Sequence, residues 1–477
     1  MTRQDELPAR PTIDVAQIIE ARGLGWPAAR LVLASWLVTF FDGYDMSVIS
    51  FAAPYLAPAF HLDTPMLRNI FTAGSLGLLA GGFLFGYVAD RIGRRATIIL
   101  ATALFGALTL SLTFATGYRD FVVLRFASGI ALNGAIPLTW ALGTEYVGTR
   151  YRATVVTLIM IGYGLGVAAA GPVSVALIPR FGWPSVFIFG GAAALIAAAV
   201  LTAILPESLR FLASSGRRPD LLRRALRRLA PGKDMPLTAR FILSDEPAST
   251  VPARGVGALF SGELAWITPL LWAGYIASSM TTFFLTSWGP LVFEALGFSR
   301  DSAALVSSSN SLGGMLGGLM LMRFTDRVGV VSLATLPLIA VPLLLVAGFA
   351  SMSQTAFVML MVLLSVYLAG SHFGVTSIPG LFYPTAYRGL GTGWASSMGK
   401  IGSAAGPFLG GIVLASSLPK KETFAVMAVC PATLCVCMLA LGLLQRRTRR
   451  ESALASAQAL RNSEAVPAEA AAQRDSI

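Results

Sequence analysis

Gly86-Tyr87-Val88-Ala89-Asp90-Arg91-Ile92-Gly93-Arg94-Arg95 joins two long apolar runs, and a shorter version, Thr325-Asp326-Arg327-Val328-Gly329, joins two others further along. Asp90 and Asp326 are 236 apart in the numbering, as are Arg152 and Arg388, each of which enters a following apolar run. Gly171-Pro172 and Gly406-Pro407 are 235 apart. Three such offsets at matching places between runs make the chain a tandem repeat. Within the segment, Gly93 permits a tight bend, and Asp90 can cap a helix end or pair with a nearby cation. Simple anchoring by positive charge accounts for Arg94 and Arg95 but not for the fixed Asp and Gly.

Outward from that turn, the composition places the chain in a bilayer. Hydrophobic residues make up 55% of its 477 positions and charged ones only 13%, where a soluble domain carries about 25% charged. A hydrocarbon core about 30 Å thick needs roughly 20 helical residues per crossing. Twelve runs meet that length: 29–57, 67–89, 95–116, 120–144, 153–178, 184–205, 264–293, 301–323, 329–351, 354–380, 389–417 and 423–444. Gly and Pro within them are tolerated where neighbouring helices satisfy the freed backbone. The first thirty residues hold arginines, acids and prolines without an apolar core, so no signal peptide is expected and the first run stays as a span. Cys430, Cys435 and Cys437 all fall in the last run and read as packing.

Charge sets the orientation. Of 36 Lys and Arg, 28 fall on the side of the N-terminal tail, and 6 (Arg68, Arg119, Arg180, Arg300, Lys420 and Lys421) on the other. By the positive-inside rule, both tails are expected in the cytoplasm. The net charge of +12 is therefore a property of loops at a membrane, and no nucleic-acid partner is expected. The expected organisation is all-α: a tail 1–28, a six-helix half 29–205, a linker 206–263, a second six-helix half 264–444 and a tail 445–477. In the linker, Arg217–Arg228 interleaves Arg with Leu at helical spacing. That predicts a helix on the inner membrane surface, or else a solvated basic linker.

Ionisable residues inside spans are expensive and point to function. Asp42-Gly43-Tyr44-Asp45 sits within the first span, its two carboxylates on one helix face. A carboxylate neutral in one state and charged in another is what proton coupling requires. Asp45 is favoured as the carrier, with Asp42 fixed by a bend at Gly43. Arg125 in span four is the natural counter-charge, and its pairing with one aspartate for packing alone is the competing reading. His372 in span ten and Lys400 in span eleven are donors for an anion, with packing and snorkelling as their plain alternatives. Arg125, His372 and Lys400, with Tyr44, Trp140 and Phe373, predict a cavity for one carboxylate on an aromatic ring.

The segment 86–95 resembles the signature Gly-x-x-x-Asp-Arg-x-Gly-Arg-Arg of the major facilitator superfamily, whose fold is a parallel repeat of six spans with the substrate between the halves. Asp42-Gly43-Tyr44-Asp45 with Pro54, the run from Arg125 through Pro137 to Glu145, and Phe382-Tyr383-Pro384-Thr385 leading to Arg388, Gly391 and Trp394 are similar to the aromatic acid:proton symporter family within it. The resemblance implies uptake of a benzoate- or hydroxybenzoate-like acid with protons in a bacterial inner membrane, and a monomer is expected. Its expected partners are the organic anion, protons and the bilayer; no cofactor, metal or catalytic residue is expected. Ser50, His372 and Lys400 depart from that family's usual Gly, Gln and Arg, which bears on the choice of acid. A conformational latch between the halves is expected from Gly86, Asp90, Arg91, Gly93, Arg94, Arg95, Glu145 and Arg152 with Asp326, Arg327 and Arg388. Gly166 and Gly171-Pro172 resemble an antiporter bend motif, and export is the alternative direction.

Overall fold

The computed structural model describes residues 12–446 except 22, 217, 231–235, 237–238, 245–254, 329–332, 377, 379–381 and 384–387, and describes no side chains at 153, 319–328, 376 and 388–389. Among the described residues, twelve helices form the body. The first half holds α2 (Trp26–Ala59), α3 (Thr64–Ile92), α4 (Arg94–Ser111), α5 (Tyr118–Thr144), α6 (Arg152–Phe181) and α7 (Pro184–Ile204). The second holds α10 (Leu264–Ala295), α11 (Arg300–Val328), α12 (Thr335–Phe349), α13 (Gln354–Thr376) and α14 (Arg388–Ala415), then α15, the span Lys420–Arg446. By length and apolar content, nine of these qualify as membrane spans on the described residues. The polar run Ser307-Ser308-Ser309-Asn310-Ser311 lies in α11, which is long but less apolar.

The deciding turn forms as its residues require. Asp63 accepts from the Met66 amide at 2.7 Å and, with Pro65, starts α3. Gly93, at φ 98°, ends α3 and starts α4, a backbone that side chains rarely adopt.

The repeat extends to packing. In the first half α2 packs on α6, α3 on α5 and α4 on α7; in the second α10 packs on α14, α11 on α13 and α12 on α15. A Cβ on Gly81 would lie 2.1 Å from the Ile130 carbonyl oxygen, and one on Gly317 2.0 Å from that of Val366. Gly166 and the Phe40 carbonyl stand in the same relation as Gly402 and that of Ile276. Each partner is displaced between copies by the offset that relates Asp90 to Asp326: Gly81 to Gly317, Ile130 to Val366, Gly166 to Gly402 and Phe40 to Ile276. The glycines let paired backbones touch. We expect Gly81→Ala and Gly317→Ala each to destabilise the purified protein by about 1–3 kcal/mol, read as lower thermal unfolding midpoints in detergent. Wild-type midpoints would show that the helix pairs are not in backbone contact.

The halves meet through α2 with α10, α3 with α14, and α6 with α11. Near the dyad, Ser50 donates to the carbonyl of its own repeat equivalent, Thr286, at 2.7 Å.

The tail and linker form a cap on the first half. β1 (Thr12–Asp14) pairs in parallel with β2 (Arg240–Ile242). The short α1 (Val15–Glu20) follows β1, and α8 (Leu209–Ser215) and α9 (Pro219–Leu229) follow α7. The expected basic helix exists as α9, but its apolar face is not given to lipid. Leu222, Leu226 and Leu229 are buried in one cluster with Val15, Ile18, Ile19, Leu209 and Leu212. Arg224, Arg227 and Arg228 point outward, while the buried Arg223 pairs with Asp220 at 2.9 Å. The chain's own tail supplies the surface that the first of the two sequence readings gave to the membrane.

Candidate functional site

α2 is the central helix of the first half, contacting α5, α6 and α7 there and α10 across the interface. That is why residues 42–54 are buried on every side although the segment carries two carboxylates. α2 runs through Gly43 as one continuous helix. A Cβ there would lie 2.1 Å from the Tyr163 carbonyl oxygen, so Gly43 serves the close approach of α6.

The two aspartates have opposite surroundings. Asp45 Oδ2 accepts from Arg125 Nη1 at 2.6 Å, both side chains being at most 2% exposed, and Asp45 Oδ1 accepts from Thr109 at 3.3 Å. This ion pair lies inside the first half, so Arg125, expected to grip the substrate, is committed to Asp45. Neither oxygen of Asp42 has a hydrogen-bond partner among the described residues, and the charges acting on it are those of Lys400 and Asp45.

Lys400 comes from α14 of the second half. Its ammonium crosses the interface and donates to Asn133 Oδ1 at 3.0 Å. Asn133 is oriented for this by its Nδ2, which donates to the Leu78 carbonyl at 2.6 Å. His372, on α13, also feels the Lys400 charge, and its Nδ1 lies 2.8 Å from Ser278 Oγ on α10. Asp42, Asn133, Lys400, His372 and Ser278 thus form a polar group at the meeting of the halves.

Two expected members are elsewhere. Tyr44 is fully buried against α7; its hydroxyl donates to the Val186 carbonyl at 3.0 Å and its ring packs on Phe189 and against Gly190. Consecutive helix positions diverge by about 100°, so Tyr44 cannot face where Asp42 does. Trp140 packs with Ala28, Val32, Val155 and Ile159 near the basic end of the first half.

A cavity of ≈ 70 Å³ opens between the halves, beyond this group. Ser47, Phe51 and Val167 line it from the first half, and Thr286, Ser307 and Asn310 are among the residues that line it from the second. Further toward the face opposite the basic one, the halves are clamped. Phe71 meets Trp288 edge-on at 5.1 Å. The Arg68 guanidinium lies 4.8 Å from the Phe408 ring and that of Arg300 4.7 Å from Tyr55, with Arg300 held by Glu294 at 3.0 Å.

On the basic face, the described residues of the expected latch make contacts within the first half. Arg94 pairs with Glu145, Ser208 donates to that same carboxylate, and Arg95 donates to the Leu205 carbonyl at 2.7 Å and, from its backbone, to Glu207 at 3.0 Å. Arg91 stacks on Tyr87 at 4.1 Å, and Asp90 lines a recess with Arg94 and Arg210. A Cβ on Gly86 would meet nothing within 4 Å, and Arg152 lies at the start of α6. These ties bind the first half to the segment after α7. The side chains of Asp326, Arg327 and Arg388, the second half's share, lie outside the described residues.

A sequence model of the Major Facilitator Superfamily matches residues 35–329 and 271–472, together most of the chain. The chain belongs to that superfamily. It is 31% identical over 419 residues to a 4-hydroxybenzoate transporter of Acinetobacter baylyi, covering 87% of this chain and 92% of the relative. It is 30% identical to a gallate transporter of Pseudomonas putida, covering 88% and 93%. Among solved structures it resembles the xylose transporter XylE of E. coli, in a partially occluded inward open conformation, with a TM-score of 0.68 at 17% identity over 87% of this chain and 98% of that one. The fold and the multi-pass membrane architecture are those of a major facilitator transporter.

Sequence reading brings forward Asp42, His372 and Lys400, but passes over Asn133, within the run from Arg125 to Glu145, and Ser278. The missed signal is the repeat itself: Ser278 occupies, in the second copy, the position of Asp42 in the first.

Proposed function

We propose that this major facilitator protein is a proton-coupled symporter importing an aromatic carboxylate by alternating access, from a position in the bacterial inner membrane. The observation that carries the reading is the Lys400–Asn133 contact across the interface beside the unpartnered carboxylate of Asp42. A cation on one half and a carboxylate on the other change their relation whenever the halves rock. That couples anion binding, protonation and conformation. Relatives named for 4-hydroxybenzoate and gallate transport support an aromatic acid as the anion. In this reading Lys400 and His372 hold the substrate carboxylate, Asp42 exchanges the proton, and Asp45 with Arg125 positions α2. The weight thereby moves from Asp45 to Asp42.

The antiporter-like glycines lend export little support. Gly166 packs on Phe40 as Gly402 packs on Ile276, and a Cβ on Gly171 would collide with Ser308 across the interface. Close packing accounts for both.

The test is uptake of radiolabelled benzoate, hydroxybenzoates and non-aromatic carboxylates by energised cells, with and without a protonophore. Accumulation of none of the aromatic acids would overturn the reading, and accumulation only after the gradient collapses would point to export.

Orientation is tested separately. The Lys and Arg asymmetry favours a cytoplasmic side for both tails and the linker, so reporter fusions at Gly216 and after Ile477 are expected to behave as cytoplasmic. An external signal from either would reverse the arrangement.

A further inference from the structure

The cavity between the halves has an unusual lining. Three residues that line it, Ser47, Ser307 and Asn310, each carry a polar atom (Oγ, Oγ and Oδ1) that is shielded from solvent and has no hydrogen-bond partner among the described residues. Three other hydroxyls of the lining are bonded within their own helices. Thr282 donates to the Ser278 carbonyl at 3.1 Å, Thr286 to that of Thr282 at 2.9 Å, and Ser365 to that of Val362 at 2.6 Å. A buried polar atom without a partner is costly, and native proteins keep few of them. Three converging on one cavity from both halves point to a ligand that brings its own donors and acceptors.

We propose that Ser47, Ser307 and Asn310 form a subsite for hydroxyl groups on the substrate's aromatic ring, so that the protein selects ring-hydroxylated acids over benzoate. The inference rests on the aromatic-carboxylate reading above and adds the ring substituent to it.

Placement along the helices supports the assignment. Ser47 is five residues beyond Asp42 on α2, and Thr282 is four beyond Ser278 on α10. At a rise of about 1.5 Å per residue, the cavity lies roughly 6 to 8 Å from the Lys400–His372 level, toward the clamped face. That is about the reach of a ring whose carboxylate sits on Lys400 and whose far edge carries a hydroxyl. Asn310 Oδ1 can only accept, which suits a phenol O–H, and the serine hydroxyls can donate or accept as the substitution requires. Phe51, Val167, Leu285 and Leu368 give the ring its apolar walls. The ≈ 70 Å³ present is less than the ~150 Å³ that holds a whole benzene ring. It therefore admits only the ring's distal edge.

The subsite also accounts for an asymmetry in the repeat. Asn310 corresponds to Gly74 of the first copy and Ser307 to Phe71, and neither of those positions offers a polar side chain. The first-half copy of this helix face packs instead: Phe71 on Trp288, and Gly74 beside the Arg125 guanidinium. The second half's share of the pocket, Ser307 and Asn310, is thus its own and not inherited from the repeat.

The experiment is uptake by cells producing the full chain, comparing labelled benzoate, 4-hydroxybenzoate and 3,4-dihydroxybenzoate for wild type, Ser307→Ala and Asn310→Leu. Wild type is expected to favour the hydroxylated acids over benzoate. In each variant the 4-hydroxybenzoate to benzoate ratio is expected to fall about tenfold, the scale of one buried hydrogen bond lost to an unpaired group. Because the readout is a ratio, a loss of folded protein lowers both uptakes together and cannot mimic the result. The milder Ser307→Ala guards against a folding failure of Asn310→Leu. An unchanged ratio in both variants, or a wild type taking benzoate as well as the hydroxylated acids, would overturn the subsite while leaving aromatic-acid transport standing. Uptake of no aromatic acid by wild type would overturn the underlying reading, and the subsite with it.

Discussion

Arg125→Met is expected to destabilise the protein by about 3–5 kcal/mol, and the double variant Asp45→Thr/Arg125→Met to recover most of that loss. Asp45 and Arg125 are among the least exposed charged groups of the chain and meet at 2.6 Å. Removing one partner of such a pair leaves the other as an uncompensated buried charge, which costs about 3–5 kcal/mol. Removing both, with good packing, is often close to neutral. The chain itself says what good packing is. Thr281 and Met361 are the second-copy equivalents of Asp45 and Arg125. Both are buried in the second half, where Thr281 closes its own hydroxyl onto the Ala277 carbonyl at 3.0 Å. The double substitution therefore transplants a solution already used in the same helix arrangement. Thermal and denaturant unfolding of purified protein in detergent would measure the cycle. A single variant as stable as wild type would mean that the pair contributes nothing. A double variant as unstable as the single would mean that the site cannot take the second half's packing.

The same repeat explains how much is legible. Twelve helices, their division into halves and the tight turn at Gly93 follow from apolar run length, Lys and Arg placement and one glycine, all of which act locally. Lys400 and His372 stand out because an ionisable group in a span is rarely without purpose. What fails depends on direction around a helix. Tyr44 lies between two aspartates in sequence, yet its ring turns to α7, and Trp140 shares α5 with Asn133 but packs near the basic end. The choice between Asp45 and Asp42 is not legible, because nothing in the sequence tells which of two carboxylates an arginine will reach. The cap made by the tail and linker is also illegible. A three-residue parallel strand pair joining Thr12–Asp14 to Arg240–Ile242 leaves no periodic trace, and an amphipathic helix reads alike whether lipid or protein covers it.

Asp42→Asn is expected to abolish accumulation of substrate against a gradient while leaving substrate binding measurable. A carboxylate buried in a span needs a cation, a donor or a proton, and lacking all three costs several kcal/mol. Asp45 has Arg125 and Thr109. Asp42 has no donor among the described residues, and the Lys400 ammonium that acts on it makes its hydrogen bond to Asn133. When a substrate carboxylate engages Lys400, one cation faces two anions, and a proton on Asp42 removes the excess charge. Proton and substrate then favour each other's binding, and by linkage the coupling runs equally in both directions. Asparagine is neutral in every state, so it admits the substrate but gives the proton nowhere to ride. The variant should equilibrate substrate across the membrane with no response to a protonophore, and binding to the purified protein should lose its dependence on pH. Lys400→Ala should instead weaken binding itself by about ten- to a hundredfold, the scale of a charged hydrogen bond, with Lys400→Arg milder because the charge remains. If Asp42→Asn still concentrates substrate in a protonophore-sensitive way, the proton travels by another group. His372, joined to Ser278 at the repeat position of Asp42 itself, would be the next to replace.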